Sequence, residues 1–130
     1  MLIVDDNRAD VLLIRKAIAM VSLSIDLHVV RDGHAATRFF DAADADEQAP
    51  RPCLVLLDLN LPKKNGEAVL KHLRGSANCR HALVLIVTSS DAIHERKALA
   101  LLGVSGYFHK PTEYAEFMKL GPVVEKLLAA

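Results

Sequence analysis

Apolar runs and amphipathic stretches take turns along this chain, and the alternation predicts five strand–helix pairs. The clearest strand is residues 53–57, an unbroken Cys53-Leu54-Val55-Leu56-Leu57 that ends on the carboxylate Asp58. A run without a polar position suits a strand covered on both faces, as in a parallel sheet between helix layers. Residues 82–87 (ALVLIV) read the same way and end on Thr88-Ser89-Ser90. Residues 25–30 alternate instead, with Ile25, Leu27 and Val29 opposite Asp26 and His28, the pattern of a strand nearer an edge. Leu2–Val4 and residues 106–109 supply the first and last strands.

Between these runs the apolar period changes to that of a helix. Val11, Ile14, Ile18 and Val21 place a first helix over 9–21, with Asn7 as its N-cap and Asp10 favouring its positive end. Asp32-Gly33 turns the chain into a second helix carrying Ala36, Phe39, Phe40 and Ala43, and the polar stretch 44–52 reads as an exposed connection. A third helix from Gly66 buries Val69, Leu70 and Leu73 and stops at Gly75. Asp91 begins a fourth, apolar at Ala98, Leu101 and Leu102. Thr112 caps a fifth, built on Tyr114, Phe117, Met118, Val124 and Leu128. Gly121-Pro122 falls inside that last helix, where proline removes a hydrogen bond and predicts a kink.

Five such units imply a flavodoxin-like α/β fold, a doubly wound five-stranded parallel sheet with five helices. The order 2-1-3-4-5 puts the alternating strand at one edge and makes strands one and three neighbours at the switch point. The chain then reads as one domain over residues 1–130, with no output domain.

Composition narrows the class. Hydrophobic residues at 52% and charged residues at 25% suit an ordinary globule, and a formal net charge of zero leaves no footprint for nucleic acid. No apolar run approaches a membrane span and the start has no signal-peptide pattern, so a cytoplasmic location is expected. Cys53 reads as a small core residue and Cys79 as a loop thiol without a role. The six histidines lack ligand spacing and read as surface residues.

The chemistry gathers at the carboxyl ends of the strands. Asp5 and Asp6 follow strand one, Asp58 follows strand three, Thr88 ends strand four and Lys110 follows strand five. In an open α/β sheet that edge is where ligands bind, and the predicted order brings these ends together. Three neighbouring carboxylates repel, and a hard divalent cation such as Mg²⁺ relieves them. One carboxylate beside Mg²⁺ can attack a phosphoryl group, while an ammonium and a hydroxyl hold the phosphoryl oxygens.

These stretches, Leu2–Asn7 (LIVDDN), residues 57–66 (LDLNLPKKNG), Val87-Thr88-Ser89 and His109-Lys110-Pro111, resemble the response-regulator receiver domain of two-component signalling over the whole chain. The resemblance implies that Asp58 is the phosphoacceptor and that Asp5, Asp6, Asp58 and the main-chain carbonyl of Asn60 hold Mg²⁺. It implies that Thr88 and Lys110 contact the phosphoryl group, and that Tyr107, with Thr88, is the switching residue. A stand-alone response regulator is expected, catalysing only its own phosphorylation and dephosphorylation. Its phosphoryl donor is a sensor histidine kinase. The NLPKKNG wording and the loop before strand three are similar to regulators paired with bacterial phytochromes. A homodimer through the fourth helix, fifth strand and fifth helix is expected on phosphorylation. Two rivals stand beside this reading: a Mg²⁺-dependent phosphohydrolase with an aspartate nucleophile, and a receiver-like binding module that takes no phosphate. The first wants a second acid where Asn60 stands, and the second does not need the full set Asp5, Asp6, Asp58, Thr88 and Lys110.

Overall fold

The strands are β1 (Leu2–Val4), β2 (His28–Val30), β3 (Leu54–Leu57), β4 (Leu83–Thr88) and β5 (Gly106–His109). They form one parallel sheet in the order β2-β1-β3-β4-β5, as the hydrophobic pattern predicts. This computed structural model describes residues 1–89 and 93–129, the side chains of residues 93–95 excepted. The expected start of the fourth helix at Asp91 lies outside the described residues.

The helices are α1 (Arg8–Met20), α2 (Gly33–Ala45), α3 (Gly66–Arg74), α4 (Ile93–Ala100), α5 (Tyr114–Phe117) and α6 (Leu120–Ala129). Side chains alternate across each strand, so the sheet divides the core in two. Leu2, Val4, Val55, Leu57, Val84 and Ile86 pack with Phe40 of α2, Leu70 of α3 and Leu99 of α4. Ile3, Leu54, Leu56, Leu85 and Val87 pack on the other face with Ile14 of α1, Phe117 of α5 and Val124 of α6.

Backbone bonds extend the sheet just past its strands. The Asp5 amide donates to the Val30 carbonyl at 3.1 Å, that of Asp58 to Val4 at 3.0 Å, and that of Lys110 to Thr88 at 2.9 Å. Three candidate residues are thereby fixed at one edge before any side chain is considered. Asn7 caps α1 by accepting the Asp10 amide at 3.0 Å, and Asp32 caps α2 by accepting that of Ala35 at 2.7 Å. Gly33 starts α2 so close to the loop after β3 that a Cβ would run into the Lys64 carbonyl.

The last helical region is divided where a continuous helix is expected. Thr112 is not its cap: Glu113 holds that position and makes no side-chain capping bond. The chain turns at Met118-Lys119 and restarts at Leu120, which puts Pro122 in the first turn of α6. There its missing amide removes no helical bond, and the conflict becomes a helix start. Gly121 lies against the Ala17 carbonyl of α1, where a Cβ would not fit.

Other expectations change with the packing. Cys53 precedes β3 and is exposed, while Cys79 is buried in the core, so the expected roles of the two thiols are reversed. Leu99 is 1% exposed and Leu101 is 90% exposed: the buried position of α4 is Leu99, with Leu102 packed against the same core, and Leu101, expected on that stripe, faces solvent in the turn beyond. β2 keeps only His28–Val30, and α2 continues to Ala45, into the stretch expected to be a connection. Arg74, the last residue of α3, donates to the carbonyls of Leu102, Arg80, Ala82 and Gly103 at 2.7–2.9 Å. Its guanidinium ties α3 to the segment leading into β4 and to the turn after α4.

Candidate functional site

Asp5 and Asp58 end neighbouring strands, and both side chains point into the pocket rather than to solvent. Asp5 is 2% exposed and Asp58 is 6% exposed. Each turns one carboxylate oxygen back on its own loop: Asp5 Oδ1 accepts the Asn7 amide at 2.9 Å, and Asp58 Oδ1 the Asn60 amide at 3.2 Å. Such Asx turns fix the carboxylate and leave its second oxygen for other partners. The Thr88 hydroxyl also donates to Asp58 Oδ1, at 3.0 Å. Asp6 is exposed, and one of its oxygens lies within 4.8 Å of ligand atoms on Asp5 and Asp58.

Lys110 closes the pocket. Its ammonium is 2.8 Å from Asp5 Oδ2, 3.0 Å from Asp58 Oδ2 and 2.9 Å from Asp10 Oδ2. Burial pulls its pKa down, but the contacts with the Asp5, Asp10 and Asp58 carboxylates outweigh that effect, and the group titrates above its ordinary range. Burial has the opposite sign for an acid, and it raises the Asp5 carboxyl despite the Lys110 and Asn7 contacts.

Asp5 Oδ2 is a buried oxygen with no hydrogen-bond partner among the described residues. The nearby ammonium pairs with it as a charge, without the alignment of a hydrogen bond. A buried acceptor left in this way, beside two further carboxylates, fits a hard divalent cation with oxygen ligands.

The structure thus brings together Asp5, Asp6, Asp58, Thr88 and Lys110. Asn60 enters through its amide on Asp58. Tyr107 stands apart from that group: its hydroxyl donates to the Arg96 carbonyl on α4 at 3.1 Å, and the Arg96 guanidinium carbon lies 4.8 Å from its ring centre. Asp10 joins the pocket although the sequence suggested only a helix-end role for it. Its one readable signal is position, since α1 starts at the sheet edge and its first turn overhangs that edge. Among the described residues no helix is long and apolar enough to cross a membrane.

Comparison with known proteins agrees with the geometry. The model of the response regulator receiver domain matches residues 1–120. The chain is 32% identical over 124 residues to response regulator Rcp1 of Synechocystis, which covers 95% of this chain and 84% of that protein. It superposes on the phosphorylated cyanobacterial phytochrome response regulator RcpA with a TM-score of 0.85 at 30% identity, covering 96% of this chain and 89% of that one. The Mn²⁺-bound form of Rcp1 gives a TM-score of 0.82 at 33% identity, covering 96% and 90%. With the family model spanning nearly the whole chain and the acidic pocket at its strand ends, this protein belongs to the response regulator receiver domain family.

Proposed function

We propose that this protein accepts a phosphoryl group on Asp58 from the phosphohistidine of a sensor kinase and signals through altered contacts of its outer face. The observation that carries the proposal is the environment of Asp58, buried at a strand end with Thr88 on one oxygen and Lys110 on the other. In the transfer the P–N bond of phosphohistidine breaks and a P–O bond to Asp58 forms, the imidazole taking up a proton as it leaves. Asp58 is the nucleophile, and its Asx turn holds it in one orientation. Lys110 and Thr88 move their donors from the carboxylate to the arriving phosphoryl oxygens, which carry more charge. Asp5, Asp6 and Asp58, with the main-chain carbonyl of Asn60, hold Mg²⁺, which when bound offsets the charge on both the carboxylates and the phosphoryl group.

The signal leaves through β5. Thr88 and Lys110 flank its carboxyl end, and Tyr107 in the same strand is fastened to α4 through Arg96. Redirecting Thr88 and Lys110 biases how β5 sits against α4, a change of population between two arrangements. The likeness to RcpA supports a phytochrome-type kinase as the donor. Leu101 at 90% and Tyr114 at 54% exposure make the α4, β5 and α5 face our choice for self-association.

A phosphohydrolase is the weaker reading. Asn60 cannot act as a general acid, since its side chain is a neutral carboxamide where such an enzyme wants a second carboxyl group. Acetyl phosphate with Mg²⁺ tests the proposal: intact mass gains one phosphoryl group in the wild type and none in Asp58→Asn, whose fold is retained. Equal labelling of the two proteins removes Asp58 from its role.

A further inference from the structure

Lys110 presents a conflict within the pocket. Its ammonium stands on Asp5 Oδ2 and Asp58 Oδ2, one oxygen from each of two carboxylates in the group of three able to hold a metal. A divalent cation seeking those oxygens meets a like charge already seated on them. The two cannot share both oxygens at close range without strong repulsion. For the cation to enter, the ammonium has to release at least one of them, yet its side chain is only 8% exposed and cannot turn freely to water.

The third contact resolves this. Asp10 Oδ2 is 2.9 Å from the same nitrogen and belongs to a carboxylate outside that group. The Asp10 backbone is held by its amide's hydrogen bond to the Asn7 cap, and its side chain, 24% exposed, is more open to solvent than that of Lys110. Resting on the metal centre proposed above, we infer that Asp10 is a positioning residue that retains the Lys110 ammonium when a divalent cation takes Asp5 and Asp58. Without Asp10 the displaced ammonium keeps at most one carboxylate partner in the cation-bound state, whereas before binding it keeps two. The loss therefore falls mainly on the bound state, and cation affinity drops.

Calorimetric titration of Mg²⁺ alone into the full chain tests this, with no phosphoryl donor present. Asp10→Asn keeps the size and the backbone cap but loses the charge. It is expected to weaken Mg²⁺ binding about tenfold, the factor that one charge contact in a half-screened pocket carries. In a Lys110→Met background the same substitution changes affinity by no more than about twofold, because the group through which Asp10 acts is gone. Lys110→Gln serves as a second background, and circular dichroism checks that each variant is folded. A tenfold loss that persists in both backgrounds overturns the inference, since Asp10 then acts directly on the cation. Unchanged affinity in Asp10→Asn also overturns it. A wild type that takes up no Mg²⁺ overturns the metal centre itself and this inference with it.

Discussion

Arg74→Met should destabilise the protein by about 2–4 kcal/mol without touching the acidic pocket. The methionine keeps most of the aliphatic stem, so what is lost is the guanidinium and its four carbonyl partners. Two of these bonds, to Arg80 and Gly103, lie at the surface, and water replaces them at small cost. The other two, to Leu102 and Ala82, are partly buried at 2.7 and 2.8 Å. A carbonyl stranded there costs about 1–3 kcal/mol, and two such groups served by one guanidinium give less than a full sum. A domain of this size is stable by about 5–15 kcal/mol, so the change is large but leaves it folded. Urea denaturation should show a lower midpoint with an unchanged slope, and the melting temperature should fall by roughly 10 °C. Arg74→Lys keeps the charge, but a single ammonium cannot reach all four carbonyls, and it should recover about half of the loss. A change below about 0.5 kcal/mol in Arg74→Met would show that water replaces all four bonds and that the brace does not matter.

Further expectations follow from other contacts. Gly33→Ala pushes a methyl into the Lys64 carbonyl, so the loop after Asp58 must shift. Stability should fall by about 1–3 kcal/mol and phosphorylation should slow, and an unaffected rate separates that loop from the chemistry. Asp44 is held below its ordinary pKa, first by the Ser76 hydroxyl and then by the Asn78 amide. Its contribution is present above the ordinary value of 3.8 and lost as pH falls through the lower folded value. Wild type and Asp44→Asn should therefore differ in melting temperature at neutral pH and converge in acid, and a constant gap refutes the linkage. Mg²⁺ should raise the melting temperature of the wild type, and Asp6→Ala should reduce that rise. No rise in the wild type means the carboxylates do not share an ion.

The sequence alone determined the sheet and the edge where the chemistry gathers. Two doubly apolar runs and one alternating run allow little besides a parallel sheet with the alternating strand outermost, because each pattern answers to burial on two faces or fewer. With that order set, Asp5, Asp58, Thr88 and Lys110 had to meet, since each ends or follows a strand and parallel strands end at one edge. Features fixed by helix phase or loop path were left to the tertiary structure. Leu99 and Leu101 are both apolar, and only docking of α4 on the sheet buries the first and exposes the second. Cys79 is buried because Ser76 and Asn78 bind Asp44 and draw their loop beneath α2, a contact with no periodicity to announce it. Gly121-Pro122 signalled a disturbed helix, but the close approach of Ala17 decided that it would be a clean restart. Asp10 and Lys110 are 100 residues apart, and nothing local in either relates one to the other. Their contact exists because α1 begins and β5 ends at the same edge, which is a property of the fold rather than of either segment.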